Sequence, residues 1–168
     1  LIASIMERVL TILAAGLGSR IRDVENQIPK PLVQVGTHSL IGRLIQQAKE
    51  ESFTKVLVVT GFDRHKVEKH VEGCFISSQI EGECVFNPEF KKANGLSLLA
   101  VPREKLPEEF VFSMCDHVFE RGFLKLIEKQ GLEAGDMVLA VDYKLDTILD
   151  MDDATKVLED QGKISNIG

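Results

Sequence analysis

A chain of 168 residues fits one domain and can bury a core without disulfides or a structural metal. With 44% hydrophobic and 27% charged residues it is an ordinary globular mixture, neither disordered nor fibrous. Its net charge of -6 repels a phosphate backbone, which sets nucleic acid aside as a partner, although a small anionic ligand can still sit in a locally positive pocket.

The apolar stretch over residues 1–18 has some of the character of a secretory leader, but Glu7 and Arg8 interrupt it where an apolar centre is required. Its later half, Val9–Ala14 (VLTILA), predicts a buried strand. No apolar run approaches the ~20 residues of a membrane span. After a long loop, residues 39–50 place Leu40, Ile41, Leu44, Ile45 and Ala48 on one helical face. Lys55–Thr60 (KVLVVT) predicts the second strand, stopped by Gly61, followed by a polar helix over residues 64–71 and a short strand over 83–86. A helix is expected from residue 95 to 100, curtailed by Pro102. Residues 110–114 (FVFSM) predict a central strand, 119–130 an amphipathic helix and 137–141 (MVLAV) a further strand ending at Asp142. Residues 156–158 and 164–167 pair as an expected hairpin.

This alternation is the pattern of βαβ units, and the expected architecture is three-layered α/β with a mainly parallel sheet and an antiparallel addition near the end. Cys74, Cys84 and Cys115 are odd in number and lack CxxC spacing, so they read as reduced thiols of a cytoplasmic protein. In open sheets of this kind ligands bind beyond the carboxyl ends of the strands. Three segments converge there: the loop after the first strand, Asp116 after FVFSM, and Asp142 after MVLAV.

The loop runs Leu13, Ala14, Ala15, Gly16, Leu17, Gly18, Ser19, Arg20. Its small residues let successive N–H groups close around phosphate oxygens, and Arg20 adds a planar fork of donors. Further on, Pro29 and Pro31 hold Lys30 in a stiff segment, placing one cation with little freedom. A Walker A loop is excluded because no Gly-Lys-Ser/Thr follows. A dinucleotide fingerprint is excluded because Ile21 and Thr60-Gly61 stand where it needs a small residue and an acid.

LAAGLGSR, a spacer and PKPLVQVG together resemble the signature of the sugar-phosphate nucleotidyltransferase superfamily. NGLSLL, FSMCDHVF and DATKV are most similar to the inositol-1-phosphate cytidylyltransferases, and the resemblance covers Val9 to Gly168. It implies a three-layer α/β/α Rossmann-like nucleotidyltransferase fold with a mixed, mainly parallel sheet. It also implies transfer of a cytidylyl group from CTP to inositol 1-phosphate, giving CDP-inositol and pyrophosphate. Mg2+ is the expected ion, since it prefers oxygen ligands and binds one or two carboxylates plus phosphates.

The same resemblance assigns roles. Asp116 matches the metal-binding aspartate, against a role as cap of the following segment. The backbone around Leu13, Ala14 and Ala15, with Asn94, Gly95 and Ser97, would surround base and ribose, and Gly16 and Gly18 complete the nucleotide-binding loop. Lys30 would contact the nucleotide phosphates and Arg20 the leaving pyrophosphate. Lys156 is the candidate for the acceptor phosphate, against a solvated strand lysine. Asp142 and Asp153 are candidates for the inositol hydroxyls, against a solvated acidic loop. Asn87, at a strand end, is weighed as a further neighbour of base and ribose but reads first as a turn residue before Pro88. His117 is set aside as a base, because a phosphate acceptor is already deprotonated at neutral pH.

The alternatives are phosphocholine or a sugar 1-phosphate as acceptor on the same fold, and a non-catalytic nucleotide-binding module. The absence of Trp and the single Tyr argue against an aromatic choline cage. The resemblance further implies fusion to, or cooperation with, a membrane di-inositol phosphate phosphate synthase. Residues 1–168 are expected to be a nucleotidyltransferase domain lacking its C-terminal part, since an apolar strand over 164–167 would leave an uncovered edge.

Overall fold

The computed structural model describes residues 7–17, 28–92, 97–130, 132–133, 135–148, 150–152 and 154–168. It divides into two compact units, residues 1–129 and 130–168.

The first unit is built on four parallel strands: β1 (Val9–Ala14), β4 (Lys55–Thr60), β5 (Glu81–Phe86) and β6 (Val111–Met114), in the order β5-β4-β1-β6. β1 lies between β4 and β6, with Ala14 opposite Thr60 and Leu13 opposite Met114. Strands buried on both faces need near-continuous apolar sequence, and VLTILA and KVLVVT supply it. Alternate residues serve opposite faces. Leu10, Ile12, Ala14, Val56 and Val58 pack under the helices α1 (Leu40–Glu50) and α2 (Arg64–Ser78), with Leu124 of α3 (Phe123–Glu128) joining the same cluster. Val9, Leu13, Leu57 and Val59 face the other way, where Val101, Leu98, Phe110 and Phe90 cover them. That second face is closed by short 3₁₀ turns, Leu98–Ala100 and Arg103–Lys105. The expected helix over 95–100 is thus one 3₁₀ turn within its described part, because Pro102 cannot continue a helix.

Ser39 caps α1, its hydroxyl accepting from the Gly42 N–H at 3.0 Å. It ends a two-residue hairpin formed by β2 (Gln34–Val35) and β3 (His38–Ser39). α2 runs seven residues beyond the expected 64–71, its C-terminus carrying Phe75 and Ser78 into the core. α3 is shorter than the expected 119–130, since Gly122 at its start has φ +89 and fixes the entry turn.

The second unit holds an antiparallel hairpin, β7 (Val157–Asp160) and β8 (Lys163–Ile167), as the sequence predicts. Gln161 and Gly162 form its turn with φ +51 and +77, and pairing continues through the mutual bonds of Lys156 and Gly168. The expected strand over 137–141 is not formed: Met137, Val138, Leu139 and Val141 are exposed and pair with no strand among the described residues. An apolar run acquires strand structure only through a ladder partner. Within the four-stranded sheet every pair is parallel, and antiparallel pairing is confined to the two hairpins.

Candidate active site

The carboxyl ends of β1, β4, β5 and β6 lie side by side, and the chain leaves each of them along one edge of the sheet. At β1, Leu13, Ala14 and Ala15 are buried and the backbone is engaged. The Leu13 carbonyl accepts from the Cys115 N–H at 3.1 Å, and the Ala15 carbonyl from Phe62 N–H at 3.2 Å. The end of β1 is thereby tied to the turns after β4 and β6. Gly61 makes this closeness possible, since a Cβ there would lie 2.6 Å from the Ala15 oxygen and 2.5 Å from the Phe90 Cβ. Gly16 is half-buried just outside the strand.

Across that edge, Lys30 opens a 3₁₀ turn, Lys30–Leu32. Pro31 is buried, and the Val33 carbonyl after the turn receives the first N–H of α1, so the backbone of Lys30 is anchored to the core. Its ammonium lies 2.5 Å from the carboxylate of Asp116, which follows β6 after buried Cys115. Both side chains are roughly three-quarters shielded, at 26% and 29% exposure. Burial works to raise the Asp116 carboxyl, but the hydrogen bond and charge of Lys30 outweigh it and hold the group below the ordinary carboxylate value. The neighbouring Cys115 thiol is pushed up to about 12, first by burial and then by the Asp116 charge, so it is an inert core thiol. His117 is exposed and packs edge-on against Phe119, which stacks on Phe123.

Asn87 is the residue for which the sequence weighs a turn against a place beside the nucleoside. It follows β5 and is 2% exposed. Its backbone N–H donates to the Thr60 carbonyl, and its Oδ1 accepts from Glu89 N–H at 2.9 Å. With the amide oriented in this way, the buried Nδ2 has no partner among the described residues. A buried unpaired donor costs about 1–3 kcal/mol, which a ligand acceptor would relieve. The turn role expected of Asn87 holds as well, through that Asx bond to Glu89. Ser97 is also buried, at 2% exposure.

Gly18, Arg20, Asn94, Gly95 and Asp153 lie outside the described residues. Asp142 and Lys156 are exposed in the second unit. Asp142 accepts from the Lys144 N–H at 2.9 Å, and the Lys156 ammonium donates to the Ala154 carbonyl at 3.2 Å. The site therefore unites Leu13, Ala14 and Ala15 with Lys30 and Asp116 at one sheet edge.

Asp116 suits a hard divalent cation that takes oxygen ligands: a part-shielded carboxylate at a strand end, on a fixed backbone. No cluster of three or more His, Cys, Asp or Glu side chains able to hold a metal occurs among the described residues. These residues thus fit an ion shared with substrate phosphates, and they do not form a cage of protein ligands.

A parallel α/β sheet with a loop, a lysine and a carboxylate at its carboxyl edge defines an open-sheet α/β protein with its ligand site at that edge. The MobA-like NTP transferase domain model matches residues 10–147, and the chain belongs to that family. It is 30% identical over 164 residues to the "Bifunctional IPC transferase and DIPP synthase" of Aquifex aeolicus, covering 97% of this chain and 36% of that protein. The protein of the same name from Thermococcus kodakarensis is 32% identical over 164 residues, covering 94% of this chain and 33% of that one. The chain thus spans about a third of the length of these relatives. Among solved structures, the inositol-1-phosphate CTP transferase from T. maritima superposes with a TM-score of 0.70 at 21% identity, covering 97% of this chain and 64% of that one. That likeness confirms the nucleotidyltransferase fold expected from the sequence. Among the described residues, no helix is long and apolar enough to cross a membrane.

Proposed function

We propose that this chain transfers a cytidylyl group from CTP to inositol 1-phosphate, forming CDP-inositol and releasing pyrophosphate. The observation that carries the reading is the juxtaposition of Lys30 and Asp116 beside the buried end of β1. The name of the T. maritima neighbour, an inositol-1-phosphate CTP transferase, suggests the base and the acceptor, and the relatives named IPC transferase support a transferase of that kind. An oxygen of the acceptor phosphate attacks the α-phosphorus as the bond to the pyrophosphate oxygen breaks. Two anions must meet, so the protein acts by positioning and neutralising charge rather than by moving a proton.

Lys30 neutralises nucleotide phosphate, and Asp116 offers one carboxylate to Mg2+. When bound, the ion would neutralise the phosphate charge that develops during transfer. The backbone of Leu13–Ala15, with Ser97, borders the nucleoside, and the Nδ2 of Asn87, without a partner among the described residues, is a donor for a carbonyl or hydroxyl oxygen there. Arg20, Gly16, Gly18, Asn94 and Gly95 complete the nucleotide side. Asp142, Asp153 and Lys156 serve the acceptor. Fusion to, or cooperation with, a membrane synthase and a cytoplasmic site of action belong to the same reading.

The test is pyrophosphate release from a panel of nucleotides and phosphorylated acceptors, with and without chelator. CTP with inositol 1-phosphate should be the productive pair, and chelator should silence it. Faster release with phosphocholine, or turnover undiminished by chelator, would refute the reading.

A further inference from the structure

The residue proposed to receive the cation is already occupied by a cation of the protein's own. Lys30 and Asp116 are in direct contact at 2.5 Å, and each is shielded enough for the pair to be weakly screened. Both backbones are pinned: Lys30 by buried Pro31 and the Val33–Leu40 bond, Asp116 by the bond from Cys115 N–H to Leu13. The lysine's four-carbon stem is the part free to swing. Among the described residues, no group of three or more His, Cys, Asp or Glu side chains stands ready to hold the metal without further oxygen ligands.

We propose that the Lys30–Asp116 ion pair is a latch that excludes the divalent ion until nucleotide arrives, so that metal and CTP load together. This rests on the functional reading above and deepens it. A triphosphate brings several negative charges into reach of Lys30, offers it a richer set of acceptors, and draws it from Asp116. The same phosphates supply the further oxygen ligands that one carboxylate cannot. Metal binding and release of the lysine are thereby coupled through the nucleotide. Without nucleotide, the ion binds only the fraction of molecules in which the pair is open; a pair closed about nine-tenths of the time weakens apparent affinity about tenfold.

The experiment measures Mn2+ binding by electron paramagnetic resonance in the absence of nucleotide. Wild type, Lys30→Met and Lys30→Arg are each compared with a counterpart that also carries Asp116→Asn, which subtracts binding at other carboxylates. Asp116-dependent binding should strengthen about tenfold in Lys30→Met and stay weak in Lys30→Arg, which keeps the cation. Circular dichroism checks folding, and Lys30→Gln serves if the methionine variant unfolds. Water-proton relaxation of the wild type should report an Asp116-dependent Mn2+ site that is weak without nucleotide and tightens once a non-hydrolysable CTP analogue is added. Asp116-dependent binding that is equally tight in wild type and Lys30→Met, without nucleotide, would overturn the latch. A wild type that fails to bind the CTP analogue would instead sink the functional reading, while the nucleotide-free comparison still decides the latch.

Discussion

At the scale of single residues, the charge state of Asp116 follows from two opposed effects. Desolvation favours the neutral acid, and Lys30 favours the carboxylate more strongly, leaving the pKa below its ordinary value. A carboxyl depressed on folding stabilises the protein fully above its unfolded pKa, and this contribution is lost as pH falls through the folded value. Lys30→Met should therefore destabilise the fold by about 1 kcal/mol near neutrality, a modest figure because the pair is partly hydrated. The difference from wild type should shrink as pH drops below the ordinary carboxylate range. Urea unfolding at a series of pH values measures it. A difference independent of pH would assign the loss to the lysine's apolar stem. Residues such as Lys30 and Asp116 were legible in the sequence because two prolines and a strand end each restrict one charge. Asn87 was legible as a turn residue and as a candidate beside the nucleoside, but nothing in its neighbours declares that its amide oxygen would be satisfied while the buried nitrogen has no partner among the described residues.

The elements were legible where their partners lie close in the sequence or in successive βαβ units. β1, α1 and β4 carry both apolar periodicity and an unambiguous stop, and they form as expected. The run 137–141 carries an equally apolar pattern and no ladder, which shows that hydropathy states a capacity to be buried and not its fulfilment. α3 offers the opposite case, a six-residue helix too short to be stable alone and held by distant groups. Glu51, at the end of α1 and 5% exposed, accepts from Gly122 N–H at 2.9 Å and Lys125 N–H at 2.8 Å, while Gln47 donates to it at 2.6 Å. Arg8 completes the clamp, hydrogen-bonding Glu128 through two nitrogens and the Ser52 carbonyl at 2.7 Å, with its guanidinium over the Phe53 ring. Glu51→Ala strips the part-buried N–H groups of Gly122 and Lys125 of their acceptor and should cost about 1 kcal/mol, since water can reach them in part. Glu51→Gln, which keeps one carbonyl, should lose less. Denaturant midpoints rank the three proteins, and equal losses in both variants would mean that charge rather than hydrogen bonding holds α3.

For the whole molecule, the distribution of buried surface separates stability from the acceptor chemistry proposed for the second unit. Every buried side chain among the described residues lies between Val9 and Leu124, inside the first unit. In the second unit the hairpin β7–β8 is stabilised by its own ladder and turn, and its described residues are mostly exposed. A two-stranded hairpin alone contributes little to cooperative stability. A protein ending at Lys129 should therefore keep a cooperative unfolding transition at nearly the same denaturant concentration as the full chain. It also retains Leu13–Ala15, Lys30, Asn87 and Asp116, so its affinity for CTP should stay within severalfold. Asp142, Asp153 and Lys156 are removed, and formation of CDP-inositol should fall by roughly ten- to a hundredfold or more, the loss expected for even one charged hydrogen bond to the acceptor. Calorimetric titration with CTP and product assays on the same preparation separate the two effects. Loss of CTP binding in a protein that still unfolds cooperatively would place nucleotide recognition partly in residues 130–168. Unchanged turnover would remove the acceptor role from that segment.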